Sequence, residues 1–320
     1  MSRLSRNQIK PVPMTCCTNL TLRRAVGVSP PARTLGRWAD AHRSPDRFPR
    51  LLIRALAMTV AVTFAVALTS VTVADEPESI ESTSFETAPS AFWRGSVDVL
   101  SVAVAPQGEH VCAAFHDGSV TIFDRTTRQP IAVEKCHSGP VSDLAISDSG
   151  ELLVTGSYDG TVRTWKIPSL DPVATMSGHS GRVVDVALSP DARTIASCGY
   201  DKTIRIWDAG SKAERAALTG HEATVRAVAF APDGTILASA GDDGFVRLWN
   251  VEGLNEIGTR NGHDGRVRDV VFSPDGKTLA SVGEDGAILL WSVSDADATP
   301  ERLNHGAMIW SVAFSPRGSL

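Results

Sequence analysis

The sequence predicts an all-β protein built from a repeated four-stranded unit, and three observations carry that expectation. First, the aromatic residues Phe123, Trp165, Trp207, Trp249 and Trp291 stand 42 positions apart in every case. Second, His137, His179, His221, His263 and His305 keep the same interval, as do Asp117, Asp159, Asp201, Asp243 and Asp285. A register held without insertion over four periods is the signature of a repeat architecture. Third, the residues between these landmarks have strand chemistry and lack helical spacing.

Within one unit the elements follow in order. Val183-Val184-Asp185-Val186-Ala187-Leu188 reads as a strand, closed by the turn Ser189-Pro190-Asp191. Thr194 to Gly199 is the second strand, and Tyr200-Asp201-Lys202 the turn after it. The β-branched run Thr203-Ile204-Arg205-Ile206-Trp207 is the third, and a fourth near Arg215 to Leu218 leads into Gly220-His221. Short strands separated by turns every 8 to 12 residues or so make a meander. One such sheet cannot bury both of its faces, so successive sheets must stack. The units run over about 95–136, 137–178, 179–220, 221–262 and 263–304, with a partial sixth at 305–320.

Composition bounds the rest. In 320 residues, 42% hydrophobic and 21% charged content fits a globular chain, and five cysteines exclude a disulfide-stapled miniprotein. The net charge of -5 averages over two unlike parts. Residues 1–54 carry Lys10 and ten arginines, from Arg3 to Arg54, against only Asp40 and Asp46. The remainder is correspondingly acidic and poorly suited to nucleic acid, since phosphate neutralisation needs clustered Lys and Arg. Residues 1–54 read as an unstructured basic segment. From Ala55 to Ala74 no charge occurs, and Asp75-Glu76 follows. The flanks orient this stretch with the N-terminus inside and the body outside. As a signal peptide it has an apolar region, Leu56 to Leu68, and small residues Thr72-Val73-Ala74 for cleavage before Asp75. As a single transmembrane anchor its twenty residues match a hydrocarbon core of about 30 Å. An organelle transit peptide and a buried helix of a soluble domain are the other readings. Residues 75–92, rich in Glu, Ser, Thr and Pro, read as a linker.

From Gly178-His179 to Trp207-Asp208, Gly220-His221 to Trp249-Asn250 and Gly262-His263 to Trp291-Ser292, the chain resembles a WD-repeat β-propeller. The turns Ala231-Pro-Asp-Gly234 and Ser273-Pro-Asp-Gly276 fit the same family, and the resemblance covers residues 93–320. It implies five complete four-stranded blades and the first strand of a sixth. It also implies that each blade is fixed by a hydrogen-bonded His, Ser or Thr, Asp and Trp. Carried over, the sets are His137, Thr155, Asp159 and Trp165; His179, Ser197, Asp201 and Trp207; His221, Ser239, Asp243 and Trp249; His263, Ser281, Asp285 and Trp291. Read as chemistry, a ring of His suggests a metal and Ser-His-Asp a triad. The partners belong to separate blades, however, and the indole N–H caps the hydroxyl. No catalytic residue, metal or cofactor is therefore expected. The first unit departs from the pattern, with Gly95, Ala113 and Phe123 at the His, Ser and Trp positions, and reads as the softest blade. Cys112, Cys136 and Cys198 fall in different units and read as buried free thiols.

The family resemblance further implies a binding face formed by the His-bearing loops and the turns that carry the repeated Asp. The residue before that Asp varies: His116, Tyr158, Tyr200, Asp242 and Glu284. Both tyrosines of the chain sit in this set, and tyrosine suits an interface anchor. Beside the His loops, Arg182, Arg226, Arg266 and Arg268 form a basic sector, with Trp310 at the corresponding place in the last unit. One expectation is that Tyr158, Tyr200 and this sector receive an acidic peptide or polymer. The other is that the arginines pair locally with Asp185, Asp242, Asp269 and Glu284. The function that follows is a non-catalytic protein-interaction scaffold, exported or membrane-tethered through 55–74. Alternatives are an accessory propeller of an enzyme whose catalytic part lies elsewhere, and a truncated product. Closing a seven-bladed ring takes roughly 65–70 more residues at this period, so exposed sheet ends and self-association are expected.

Overall fold

Strand-forming runs of five or six residues joined by short turns leave each unit one economical option, an antiparallel meander. The computed structural model, which describes residues 51–53, 97–295 and 297–315, shows five separate four-stranded sheets, each in simple sequential order. Blade 1 comprises Val99–Val104, His110–Phe115, Ser119–Asp124 and Pro130–Lys135. Blade 2 comprises Val141–Ile146, Leu152–Ser157, Thr161–Lys166 and Pro172–Ser177. Blade 3 comprises Val183–Leu188, Thr194–Gly199, Ile204–Asp208 and Glu214–Leu218. Blade 4 comprises Val225–Phe230, Ile236–Gly241, Phe245–Asn250 and Asn255–Asn261. Blade 5 comprises Val267–Phe272, Thr278–Gly283, Ala287–Ser292 and Glu301–Asn304. The strand Val312–Phe314 follows, as the sequence predicts for the start of a sixth.

Polar turn residues close each meander. In the first turn of blade 3 the Ser189 hydroxyl donates to Asp191 (2.6 Å), which also accepts the Arg193 N–H (3.0 Å). In the next turn Asp201 accepts the main-chain N–H and the hydroxyl of Thr203 (3.2 and 2.9 Å). These side chains stand in for backbone partners that a tight turn cannot supply.

The cores lie between blades, not within them. Ile204, Ile206 and Leu218 of blade 3 pack against Val228, Leu237 and Trp249 of blade 4. Blades 4 and 5 meet through Val246 and Leu248 against Val270, Leu279 and Trp291. Ile309 and Val312 continue the series against Val282, Ile288 and Leu290 of blade 5. First strands of successive blades contact one another, whereas fourth strands lie outside and leave Ile131, Val133, Val173 and Ile257 exposed. Cys112, Cys136 and Cys198 are buried and free. Burial pushes the first two thiols up to about 12, so all three behave as small apolar groups.

One irregularity recurs in all five blades. The first strand carries a bulge between Val99 and Ser101, Val141 and Asp143, Val183 and Asp185, Val225 and Ala227, and Val267 and Asp269. A bulge adds one unpaired residue and re-aims its side chain. The extra residues are Leu100, Ser142, Val184, Arg226 and Arg268.

Within the basic leader, Leu51–Ile53 runs as a short strand antiparallel to Val312–Phe314, where the sequence suggests an unstructured segment. The uncharged stretch 55–74 and the linker 75–92 lie outside the described residues, as do Cys16 and Cys17. Among the described residues no helix is long and apolar enough to cross a membrane.

Candidate functional site

Two polar layers and one exposed row follow from this scaffold. The first layer is the repeated His, hydroxyl, Asp and Trp. In blade 3, His179 Nδ1 lies 2.8 Å from Asp201 and Nε2 2.8 Å from Ser197 Oγ. The indole N–H of Trp207 donates to the same hydroxyl at 2.9 Å. Blade 2 does this with His137, Asp159 (3.0 Å), Thr155 (2.7 Å) and Trp165 (3.0 Å). Blade 4 uses His221, Asp243 (2.9 Å), Ser239 (2.8 Å) and Trp249 (2.8 Å). Blade 5 uses His263, Asp285 (3.0 Å), Ser281 (2.8 Å) and Trp291 (2.8 Å). The carboxylate can only accept, so Nδ1–H donates to it; Nε2 then accepts from the hydroxyl, whose lone pair receives the indole N–H.

Burial lowers the pKa of His137, His179 and His263 against the opposing pull of their aspartates, which suits the neutral ring this pattern requires. Burial alone raises Asp159, but the Thr161 hydroxyl and N–H together with His137 outweigh it and bring the carboxyl down to about 2. Each aspartate also accepts the N–H of the residue after the neighbouring His, at Ser138, Ser180, Glu222 and Asp264 (3.1, 3.0, 3.0 and 3.1 Å). The set thus pins a loop to a turn and both to the blade. It has the members of a hydrolytic triad, yet Ser197, Ser239, Ser281 and Thr155 are wholly buried and already hold an indole N–H. No substrate carbonyl can reach such a hydroxyl.

Blade 1 has Ala113 and Phe123 at the hydroxyl and indole positions, so it lacks the chain of donors. Asp117 keeps only its turn role, accepting the N–H and hydroxyl of Ser119 (2.9 and 2.6 Å).

The second layer was not foreseen from the sequence. Asp143, Asp185 and Asp269 follow the bulges in their first strands. Each reaches to the next blade: Asp143 accepts the Val186 N–H (3.3 Å), Asp185 that of Val228 (2.7 Å) and Asp269 that of Val312 (2.9 Å). Ser101 of blade 1 donates to Asp143 at 2.7 Å. The first strand is the inner edge of its sheet, and these carboxylates satisfy N–H groups that would otherwise lack a partner. Where Ala227 interrupts the series, the Val270 N–H bonds instead to Asp269 Oδ1 (2.8 Å). Burial raises all three pKa values, Asp269 to about 6; the charge of Asp143 lifts Asp185 further. The sequence did hold the signal, since Ser101, Asp143, Asp185, Ala227, Asp269 and Ser311 recur every 42 residues. Asp185 and Asp269 were expected to pair with the arginine sector. They instead stitch blade to blade, because the bulge turns the residue after it inward.

The exposed row lies at the turn and loop end of the blades. Arg226 makes two bonds to Asp242, at 2.8 and 2.5 Å, and these raise its pKa; Arg268 is paired with Glu284. Arg266 stands 3.8 Å from the same glutamate. The local pairing expected with Asp242 and Glu284 is therefore present. Arg182 differs, with its guanidinium over Tyr158 (5.0 Å) and Tyr200 (5.6 Å), whose rings meet edge to face at 6.5 Å. Tyr200 also carries Arg226 (5.4 Å), and Arg268 lies over Trp310 (4.8 Å). Tyr200, Trp310 and Met308 are exposed, as is His116 at the far end of the row. The structure thus brings Tyr158, Tyr200, Arg182, Arg226 and Asp242 into one continuous patch, with Arg266, Arg268, Glu284 and Trp310 in a second. Among the described residues no cluster of three His, Cys, Asp or Glu is arranged to hold a metal.

The family model described as "WD domain, G-beta repeat" matches residues 88–124, 128–166, 170–208, 213–250 and 254–292, more than half of the chain. Each of the last four matches begins at the fourth strand of one blade and ends with the third strand of the next, so the sequence repeat straddles the seams that the buried layers hold. No curated protein matches the chain.

Proposed function

The chain belongs to the WD-repeat family, and from that premise we propose that it is a non-catalytic scaffold that binds a protein partner through the face bearing Tyr158, Arg182 and Tyr200. WD repeats are generally protein-interaction scaffolds. The observation that supports this face is the exposed aromatic–cation row itself. Two tyrosine rings in edge-to-face contact lie against one guanidinium at 5.0 and 5.6 Å. Tyrosine offers contact area at small entropic cost, and fixed aromatics and arginines dominate binding energies in interfaces. The buried His sets below the rim hold its loops and turns in place, so the row is preorganised before any partner arrives.

We further propose that this face is displayed outside the membrane. The basic residues 1–54, the uncharged stretch 55–74 and the acidic flank Asp75-Glu76 support that orientation. Fusing residues 1–92 to a reporter that is active only after export tests it, and an inactive reporter would overturn it. For the face, a partner captured with the full chain should lose at least tenfold in affinity when Tyr158 and Tyr200 are both replaced by alanine. Unchanged affinity in a variant that melts like the parent would contradict the assignment.

A further inference from the structure

The following rests on the reading of this face as the binding surface. Two of its arginines are completed by the chain itself, each between an aromatic ring and an acid: Tyr200, Arg226 and Asp242; Trp310, Arg268 and Glu284. Arg182 lies against both tyrosine rings, which also touch each other, and has, among the described residues, no carboxylate within ion-pair distance.

The repeat allows a like-for-like comparison. Arg266 occupies the place of Arg182 two blades on, and Glu284 occupies the place of Tyr200. One main-chain bond holds both pairs in the same geometry. The Tyr200 N–H donates to the Arg182 carbonyl (2.9 Å), and the Glu284 N–H to the Arg266 carbonyl (3.0 Å). In blade 5 this geometry brings a carboxylate to 3.8 Å from the guanidinium. In blade 3 it brings a tyrosine ring, and the cation is left without a carboxylate.

We infer that the partner supplies the missing group: an Asp or Glu side chain on an exposed segment of the bound protein docks edge-on against Arg182, beside the Tyr158–Tyr200 pair. A guanidinium stacked on aromatic rings keeps its N–H edge free, and that edge matches a carboxylate in a two-pronged hydrogen bond. The rings also restrict the long side chain beforehand, so less freedom is lost on docking. Arg226 and Arg268 already donate to acids of this chain, which offset their charge, so a second carboxylate gains less there than at Arg182. The chain as a whole is net negative at -5, so an acidic segment is repelled from most of the surface and directed to this cation.

The test uses the full chain and three positional-scanning peptide pools, identical except for a fixed central Glu, Gln or phosphoserine. The Glu pool should bind about tenfold more tightly than the Gln pool, the scale of one charge-assisted hydrogen bond made or lost. Arg182→Gln should erase that difference while its melting temperature stays at the parent value, and Arg266→Gln should leave the difference intact. Equal binding of the Glu and Gln pools, binding of no pool, or binding of the phosphoserine pool alone overturns the inference. The captured partner separates the two levels. If Tyr158→Ala with Tyr200→Ala abolishes its binding but Arg182→Gln does not, the face stands and the carboxylate contact falls. If neither change weakens it, both fall.

Discussion

The buried polar layers and the exposed row are built from the same repeat, yet they obey opposite rules. Inside, the His, hydroxyl, Asp and Trp positions hold the same residue types in blades 2 to 5, with distances that differ by only tenths of an ångström. On the rim, one position reads His116, Tyr158, Tyr200, Asp242 and Glu284. Constancy within one chain marks residues that answer to the fold, because every blade poses the same burial problem. Variation marks residues that answer to something outside it. Changes in the first class should therefore cost stability, and changes in the second should cost binding.

The largest break should come from Ser239→Ala. It strands Nε2 of His221 and the indole N–H of Trp249, both buried and both now bonded to that hydroxyl at 2.8 Å. Two unsatisfied buried groups cost about 1–3 kcal/mol each, so a loss of roughly 2–6 kcal/mol is expected in denaturant unfolding. A loss below about 0.5 kcal/mol would mean that the layer is ornamental. The same substitution should leave the affinity of the remaining folded protein unchanged.

The belt of aspartates gives a second, pH-dependent contrast. Asp269 titrates at about 6 when folded, above the ordinary 3.8, so the folded state holds its proton more tightly. Its contribution is fully favourable below about pH 4 and is lost as pH rises through 6. The buried histidines act in the other direction. With pKa values below 6.5, His137, His179 and His263 favour the folded state above that pH and lose their contribution as it falls. Asp269→Asn keeps an acceptor for the Val312 N–H and removes the titration. Stability curves from pH 4 to 7 should then show the variant gaining on the parent with rising pH, by about 2 kcal/mol at most. Parallel curves would show that Asp269 is not held protonated.

The smallest expected effect concerns one turn. Gly118, Gly160, Gly244 and Gly286 occupy a left-handed conformation, with φ of 90°, 83°, 85° and 69°. Blade 3 places Lys202 there at φ 67°, a conformation that a side chain resists. Lys202→Gly should stabilise the protein by up to about 1 kcal/mol, seen as a small rise in melting temperature. It lies two residues from Tyr200 and takes no part in the contacts of Arg182 with the two tyrosine rings, so peptide binding should not move.

How much of this was readable beforehand follows the same division. The 42-residue spacing of Trp165, Trp207, Trp249 and Trp291 was enough to expect stacked four-stranded sheets. The outward set containing Arg226 and Arg268 was also legible, though its cause, a bulge in every first strand, was not. A bulge adds one residue and breaks the alternation, as in Val141-Ser142-Asp143-Leu144 and Val267-Arg268-Asp269-Val270, but two polar residues in a row do not by themselves say which one turns inward. That ambiguity hid Asp143, Asp185 and Asp269. Polar residues in a strand read as solvent-facing, and only the third dimension shows them bonded to the neighbouring blade. The contrast between Arg182 and its paired counterparts was likewise hidden, because it depends on which ring or acid the opposing turn presents.

The central claim is that the rim binds and the interior only holds. The most direct measurement compares Tyr158→Ala with Tyr200→Ala in one variant against the parent, reading partner affinity and unfolding free energy on the same preparations. The account predicts an affinity loss of at least about tenfold with stability changed by less than about 1 kcal/mol. Full affinity in the stable variant, or a loss of binding that tracks a collapse in stability, would contradict it.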